Sequence, residues 1–262
     1  MNLFDLKGKT ALVTGSTDGL GKAIAYGLGK ANATIIVNGR SSIEKLNQNV
    51  ELLRNEGINA YGYLSDVTVE SEVLELIRKI ESEVGPIDIL VNNAGVNFRA
   101  VLEDMPVEDF RQNIHINLTG PFIVSKAVVH GMIRRRSGKI INICSMMSEL
   151  GRNSVGAYAS SKGGLKMLTQ SMATEWAKYN IQVNGIGPGY FATKLTAPLR
   201  EKSNPFNDFI INRTPAGRWG FPEELVGSAI FLSSKASDFV NGHVLYVDGG
   251  ILATIGKPAN EE

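Results

Sequence analysis

Cysteine is nearly absent. Cys144 is the single one in 262 residues, so no internal disulfide can form and a reducing compartment fits. Where it ends the apolar run 139–144, a buried small hydrophobe is the expected role, ahead of a nucleophile. Histidine is scarce too: His115, His130 and His243 have no spacing suited to a metal, nor does any Cys, His, Asp and Glu group match a zinc pattern. No metal is expected. Excess charge of one sign is lacking, since 27 Lys and Arg against 26 Asp and Glu leave +1. That offers no general surface for nucleic acid or for a membrane. The basic cluster Arg134-Arg135-Arg136 closes a helical stretch and complements its dipole. An N-terminal apolar run is missing as well: Met1 to Phe4 is too short for a signal peptide, and Ala11 to Val13 already belongs to a strand. A cytoplasmic protein is expected. Without linker, repeat or low-complexity tract, the 43% hydrophobic content is expected to build one domain, 1–262, with a substantial core.

What the chain does have is alternation. Short apolar runs near 9–14, 33–38, 59–64, 88–92, 139–144, 181–187 and 243–247 are separated by helical patterns near 20–31, 43–56, 69–84, 107–134, 156–179 and 222–234. This order predicts βαβ units, an α/β fold with a seven-stranded parallel sheet and helices on both faces. Ile89-Leu90-Val91 and 140–143 are mostly apolar, as strands covered on both sides should be. Ligands of such sheets bind at the carboxyl ends of the strands. That rule gathers Gly15, then 38–40, Asp66, 92–95, Ser145 and Pro188-Gly189 on one edge.

Two of these points carry chemistry. After the first strand comes Gly15-Ser16-Thr17-Asp18-Gly19-Leu20-Gly21 and then a helix. Glycines let backbone approach a pyrophosphate, and a helix start presents free N–H groups and a positive dipole end. A tight connection without any ligand would use the same glycines. Thirteen residues after Ser145 stands Tyr158, with Lys162 four further on. Four residues on a helix share a face, so the ammonium can approach the phenol, whose pKa of about 10 an opposite charge lowers by ~1–3 units. That makes Tyr158 an acid or base near neutral pH, although a solvated helix face has the same spacing.

In combination, Thr14-Gly15-x-x-x-Gly19-x-Gly21, Asp66, Asn92-Asn93-Ala94-Gly95, Asn117, Ser145, Tyr158-x-x-x-Lys162 and Pro188-Gly189-x-x-x-Thr193 make the chain resemble the short-chain dehydrogenase/reductase family over residues 5–255. The resemblance implies a doubly wound Rossmann fold. It implies that Tyr158 exchanges a proton with the substrate oxygen while Ser145 hydrogen-bonds that oxygen. Lys162 would lower the Tyr158 pKa and hold the nicotinamide ribose, and Asn117 would fix a water-linked proton path to Lys162. From the residues alone, Asn117 in 114–118 reads equally as a bent or capped helix position. The implied cofactor contacts are Gly15, Ser16, Thr17, Gly19, Leu20, Gly21, Gly39, Arg40, Ser41, Asp66, Val67, Asn93, Ala94, Gly95, Pro188, Gly189 and Thr193, with Tyr158 and Lys162. Asp66 would meet the adenine, although a helix N-terminal acid is as good a reading.

At the end of the second strand Gly39-Arg40-Ser41 has no carboxylate to repel a 2′-phosphate and a guanidinium to grip it. NADP is therefore expected, with NAD possible because Asp18 would weaken phosphate binding. Within the family, the stretches 140–151, 184–190 and 241–252 are most similar to gluconate 5-dehydrogenases, implying a sugar-acid substrate, D-gluconate and its 5-keto form. A C3 dehydrogenase of a deoxygluconate, a 3-oxoacyl carrier-protein reductase and a nucleotide-binding sensor are the alternatives. A carboxylate calls for Arg99 or Lys194, Glu149 would accept sugar hydroxyls, and Tyr190 joins Ser145 and Tyr158 in the substrate pocket. Relatives carry a mobile lid where this chain has 195–219. A homotetramer is expected, built on the final strand with its neighbouring helix and on helices 107–134 and 156–179.

Overall fold

The computed structural model describes residues 3–194 and 196–256. The chain runs β1 (Thr10–Val13), α1 (Gly19–Lys30), β2 (Thr34–Gly39), α2 (Ile43–Asn55), β3 (Ala60–Leu64), α3 (Glu70–Glu83), β4 (Ile89–Asn92), α4 (Val107–Ile114) and α5 (Gly120–Arg135). It continues through β5 (Gly138–Ile143), α6 (Gly156–Trp176), β6 (Ile181–Pro188), α7 (Pro205–Arg213), α8 (Val226–Ser233) and β7 (Val244–Val247). All seven strands pair in parallel in the order β3-β2-β1-β4-β5-β6-β7, which bears out the expected sheet. Strand order reverses between β1 and β4, so the connections after these two strands diverge and leave a crevice at their carboxyl ends.

Alternation along each strand sorts the core into two layers. Ala11, Val13, Ile35, Val37, Ile89 and Val91 face α1, α2 and α8 through Ile24, Leu28, Leu46, Val50 and Leu232. Leu12, Ile36, Leu90 and Ile140 face the other way, onto Val73, Ile77 and Ile80 of α3 and Val124, Val128 and Met132 of α5. The run Val107–Arg135 has the length and hydropathy of a membrane span, but half of its most apolar window is buried inside the fold, where those α5 side chains pack on the sheet. Between the layers runs a buried polar ladder. Asn92 Nδ2 donates to Ser125 Oγ and to Asn142 Oδ1, both at 2.9 Å, and Asn142 Nδ2 donates to Thr169 Oγ1 at 2.8 Å. It ties β4 and β5 to α5 and α6 just below the strand ends.

Two elements depart from the sequence expectation. The helical stretch 107–134 is broken by a π-helical turn, His115–Thr119, which puts Asn117 out of the regular ladder. Within the expected lid, of which Leu195 lies outside the described residues, the structure forms α7. Pro205 at its first position and Asn204, whose Oδ1 accepts from Phe206 N at 3.0 Å, start that helix.

Candidate active site

A cleft of about 690 Å³ opens along the carboxyl edge of the sheet. At one end lies the glycine turn. Gly15 has φ +61°, and a Cβ there would sit 2.9 Å from Ala94 Cα, so only glycine lets the turn lie against the loop after β4. That loop is strapped down: Thr14 Oγ1 accepts from Asn93 N at 2.9 Å and Ala94 N at 3.1 Å, and Asn93 Nδ2 donates to the Thr14 and Gly15 carbonyls. Asn38, buried at the end of β2, accepts from Gly15 N at 3.3 Å. Arg40 and Asp66 line the same end. Burial pushes the Asp66 carboxyl up, but hydrogen bonds from the Thr68 hydroxyl and amide outweigh this and hold it below the usual value.

Midway along the cleft stand Ser145, Tyr158 and Lys162. Ser145 follows β5 by two residues in an extended conformation, and its Oγ accepts from Met147 N at 3.1 Å. Ser148 Oγ donates to the Lys162 carbonyl at 2.9 Å, which locks the serine turn onto α6. Lys162 Nζ lies 5.6 Å from the Tyr158 ring centroid and donates to the Ile143 carbonyl at 2.6 Å. Burial pushes Lys162 down to about 8. Burial also raises the Tyr158 phenol, opposed by its Ser145 partner. The phenol thus moves opposite to the sequence expectation, because desolvation in this wall exceeds any pull from a lysine that is itself desolvated. Asn117 sits behind these residues, fully buried; its amide pairs with both backbone groups of Val96 at 2.8 and 2.9 Å and donates to Ser161 Oγ at 3.1 Å. The π-helical turn bears out the bent-helix reading, and the fold sets Asn117 behind the loop that leaves β4.

The far end of the cleft is lined by Arg99, Arg152, Tyr190, Lys194 and Phe206. Tyr190 meets Phe206 and Trp219 edge to face, with ring centroids 5.9 and 5.6 Å apart. The guanidinium carbons of Arg152 and Arg99 lie 4.8 and 5.8 Å from the Phe206 ring centroid.

Residues 9–204 match the short chain dehydrogenase family model. The chain belongs to that family. Along its whole length it is 68% identical to a 2-dehydro-3-deoxy-D-gluconate 5-dehydrogenase of Formosa agariphila, covering 99% of that relative. It is 50% identical to a 5-keto-D-gluconate 5-reductase of Escherichia coli, covering 97% of this chain and 99% of the relative. Among solved structures, a gluconate 5-dehydrogenase from Burkholderia cenocepacia, in complex with NADP and tartrate, superposes with TM-score 0.93 at 46% identity over 97% of this chain and 99% of its own. As a short-chain dehydrogenase, the protein is an oxidoreductase acting on a CH–OH carbon.

The residues of this short-chain dehydrogenase fit a dinucleotide. A backbone-only cradle at Gly15 leads into the first turn of α1, and Asp18 caps that helix through Gly19 N at 2.8 Å. Of the residues expected in the site, the cleft collects Gly15, Thr17, Gly19, Leu20, Gly39, Arg40, Asp66, Val67, Asn93, Ala94, Gly95, Arg99, Ser145, Tyr158, Lys162, Gly189, Tyr190, Thr193 and Lys194. Five expected contacts stand outside the cleft lining. Ser16 is buried, donating to the Val13 carbonyl at 2.7 Å. Gly21 packs under Asn93, Pro188 is buried in β6, and Ser41 is exposed beyond the cleft lining. Glu149 faces away from the cleft, accepting from Tyr246 Oη at 2.6 Å and pairing with Lys166; its helical turn rotates it off the pocket wall. Sequence reading missed Arg152. It lies seven residues after Ser145 in a loop, where no periodicity indicates a direction, and Glu149 three residues before it gives the sequence a ready local partner that the fold does not use.

Proposed function

We propose that this enzyme interconverts a hydroxyl and a ketone at C5 of a six-carbon sugar acid built on the D-gluconate skeleton, with NADP as cofactor. The single observation that supports this most is the order along one cleft: glycine turn, then Ser145, Tyr158 and Lys162, then an arginine-lined end. When bound, the nicotinamide supplies or accepts the hydride. In the reducing direction Tyr158 Oη gives its proton to the carbonyl oxygen as that carbon becomes CH–OH, and in the oxidising direction the phenolate takes it back. Ser145 Oγ hydrogen-bonds the same oxygen and stabilises the charge that develops on it. Lys162 holds ribose hydroxyls and favours the phenolate once its Nζ is shared between Ile143 O and the sugar. Asn117 keeps the Val96 loop in place behind them and ends the proton path. Arg40 supports NADP over NAD, since β2 ends without a carboxylate there.

Two acids share the C5 hydroxyl. The relative at 68% identity favours 2-dehydro-3-deoxy-D-gluconate; the motif reading and the relative at 50% favour D-gluconate with 5-keto-D-gluconate. We place the deoxy acid first and D-gluconate second. The protein is assigned to the cytoplasm as a homotetramer. Exposed Phe122 on α5 and Met167 on α6, with Phe239 before β7, support two apolar faces for that assembly. Incubation of purified enzyme with each acid and with NADP or NAD, followed by product identification, tests the reading. Oxidation of either acid at C5 is expected, faster with NADP. Oxidation at C3, or turnover of neither acid while 3-oxoacyl thioesters are reduced, overturns it.

A further inference from the structure

The cleft is electrostatically polarised. At the glycine-turn end the lining carboxylates Asp18 and Asp66 face the cation Arg40, whereas the three cations Arg99, Arg152 and Lys194 line the cleft beyond it with no carboxylate among them. Among the described residues no ion pair involves any of these three cations. Arg99 has a neutral partner, donating from Nη2 to Ser154 Oγ at 3.2 Å. Arg152 has less: its Nε is buried with no hydrogen-bond partner. Both guanidiniums lie against the Phe206 ring, so two like charges share one aromatic support, Arg99 exposed and Arg152 partly buried. Burial first, and the Arg99 charge after it, act against the charged form of Arg152. An unpartnered buried donor beside a second cation is unfavourable on its own. An anion supplied from outside removes both problems together, and a planar guanidinium matches a carboxylate in a two-point fork.

The geometry points to Arg152 as the residue that selects an acid: its guanidinium, 4.8 Å from the Phe206 ring centroid of α7, receives the substrate carboxylate beside Arg99 while C5 lies at Tyr158. This rests on the sugar-acid reading above. It explains why an aromatic sits at the second position of α7, because the ring supports both guanidiniums by cation–π contact and ties α7 to the segment after Ser145. Selection is then by charge at one end of the substrate and by proton transfer at the other. An uncharged analogue reaches Tyr158 equally well but gains nothing from Arg152.

The test uses the enzyme loaded with NADPH, which binds D-gluconate without turnover and lets calorimetry read affinity directly. Arg152→Gln is expected to weaken D-gluconate by roughly 30-fold, the usual loss for one buried charge-assisted hydrogen-bond partner, and to change D-gluconamide less than about twofold. Arg152→Lys, which keeps the charge and loses the fork, should fall between them. In turnover the loss should appear in KM with kcat nearly kept, and unchanged NADPH affinity shows that the variant is folded. Equal D-gluconate affinity in wild type and Arg152→Gln overturns the assignment, as does parallel loss of acid and amide. If the wild type oxidises neither acid but binds D-gluconate in an Arg152-dependent manner, the proposed reaction falls and the assignment of Arg152 stands.

Discussion

The two ends of the cleft are built by different means. The glycine-turn end is backbone: Gly15 at φ +61° against Ala94, with Thr14, Asn38 and Asn93 pinning main-chain groups to one another. The acid end is side chain: guanidiniums and rings from a loop and from α7, crossing at 5 to 6 Å with few hydrogen bonds. A backbone site tolerates few residue types, so it fixes what can bind there across many sequences. A side-chain site can be rewritten one residue at a time. Tyr158 and Lys162 stand where the two meet, and the sharpest test of the division begins with them. Tyr158→Phe should reduce kcat by roughly 10³-fold, the scale of a lost acid/base group, while NADPH and acid affinities stay within threefold in fluorescence titrations. Retained turnover would mean that neither end is aligned on Tyr158.

Gly15→Ala tests the backbone end alone. A side chain at positive φ is strained by roughly 1–3 kcal/mol, and this one also meets Ala94 at 2.9 Å. Weaker dinucleotide binding by roughly 30- to 100-fold is expected, with no change in D-gluconamide discrimination. Arg152→Gln is its mirror image. Should Gly15→Ala alter acid selectivity as well, the ends are coupled and the division is wrong.

Lys162 shows how a shared position stores unfavourable energy. Burial moves it from 10.5 to about 8, so the native state holds the charge less readily than the unfolded chain. Below pH 8 the full penalty is present; between pH 8 and 10.5 the unfolded chain binds the extra proton and the penalty fades as pH rises. Lys162→Met should therefore unfold about 2 kcal/mol harder at pH 7, after about 1 kcal/mol is deducted for the orphaned Ile143 carbonyl. By pH 10.5 urea titrations should show the gap gone and the wild type slightly the more stable, because the orphaned carbonyl then outweighs the residual penalty. A gap independent of pH would place the effect in packing instead.

How much of this could be read from the sequence follows the same division. The strands were legible because apolar runs covered on both faces are continuous, and the glycine turn because backbone geometry restricts residue type. The break at His115–Thr119 was legible only as one of two local readings of Asn117, since the stretch keeps its helical pattern and the extra residue is absorbed by tertiary pairing of Asn117 with Val96. Not legible was α7, a helix started by Asn204-Pro205 inside a polar, proline-containing segment. Arg152 and Glu149 are three residues apart on one loop, and only the fold decides which of them faces the cleft. Arg40 lies on the legible side, at the end of β2. Arg40→Ser should weaken NADPH about 10-fold, the worth of one charge-assisted pair, and leave NADH unchanged; equal loss of both would remove its assignment to the 2′-phosphate.

The smallest expected effect sharpens the acid end by exclusion. Glu149 is held by Lys166 and then by the Tyr246 hydroxyl, and these two lower its carboxyl below the ordinary value. A carboxyl depressed in the native state adds stability above its unfolded pKa and loses it as acid protonates the native form. The Glu149→Gln change should therefore cost under about 1 kcal/mol at pH 7, as partly exposed pairs do, and nothing at a pH low enough to protonate both states. KM for either acid should stay within twofold, because Tyr246 and Lys166, not a sugar hydroxyl, occupy the carboxylate. A tenfold rise in KM with unchanged stability would return Glu149 to the substrate. The acid end would then recognise hydroxyls through an anion as well as the carboxylate through Arg152, and it would no longer be free of carboxylates.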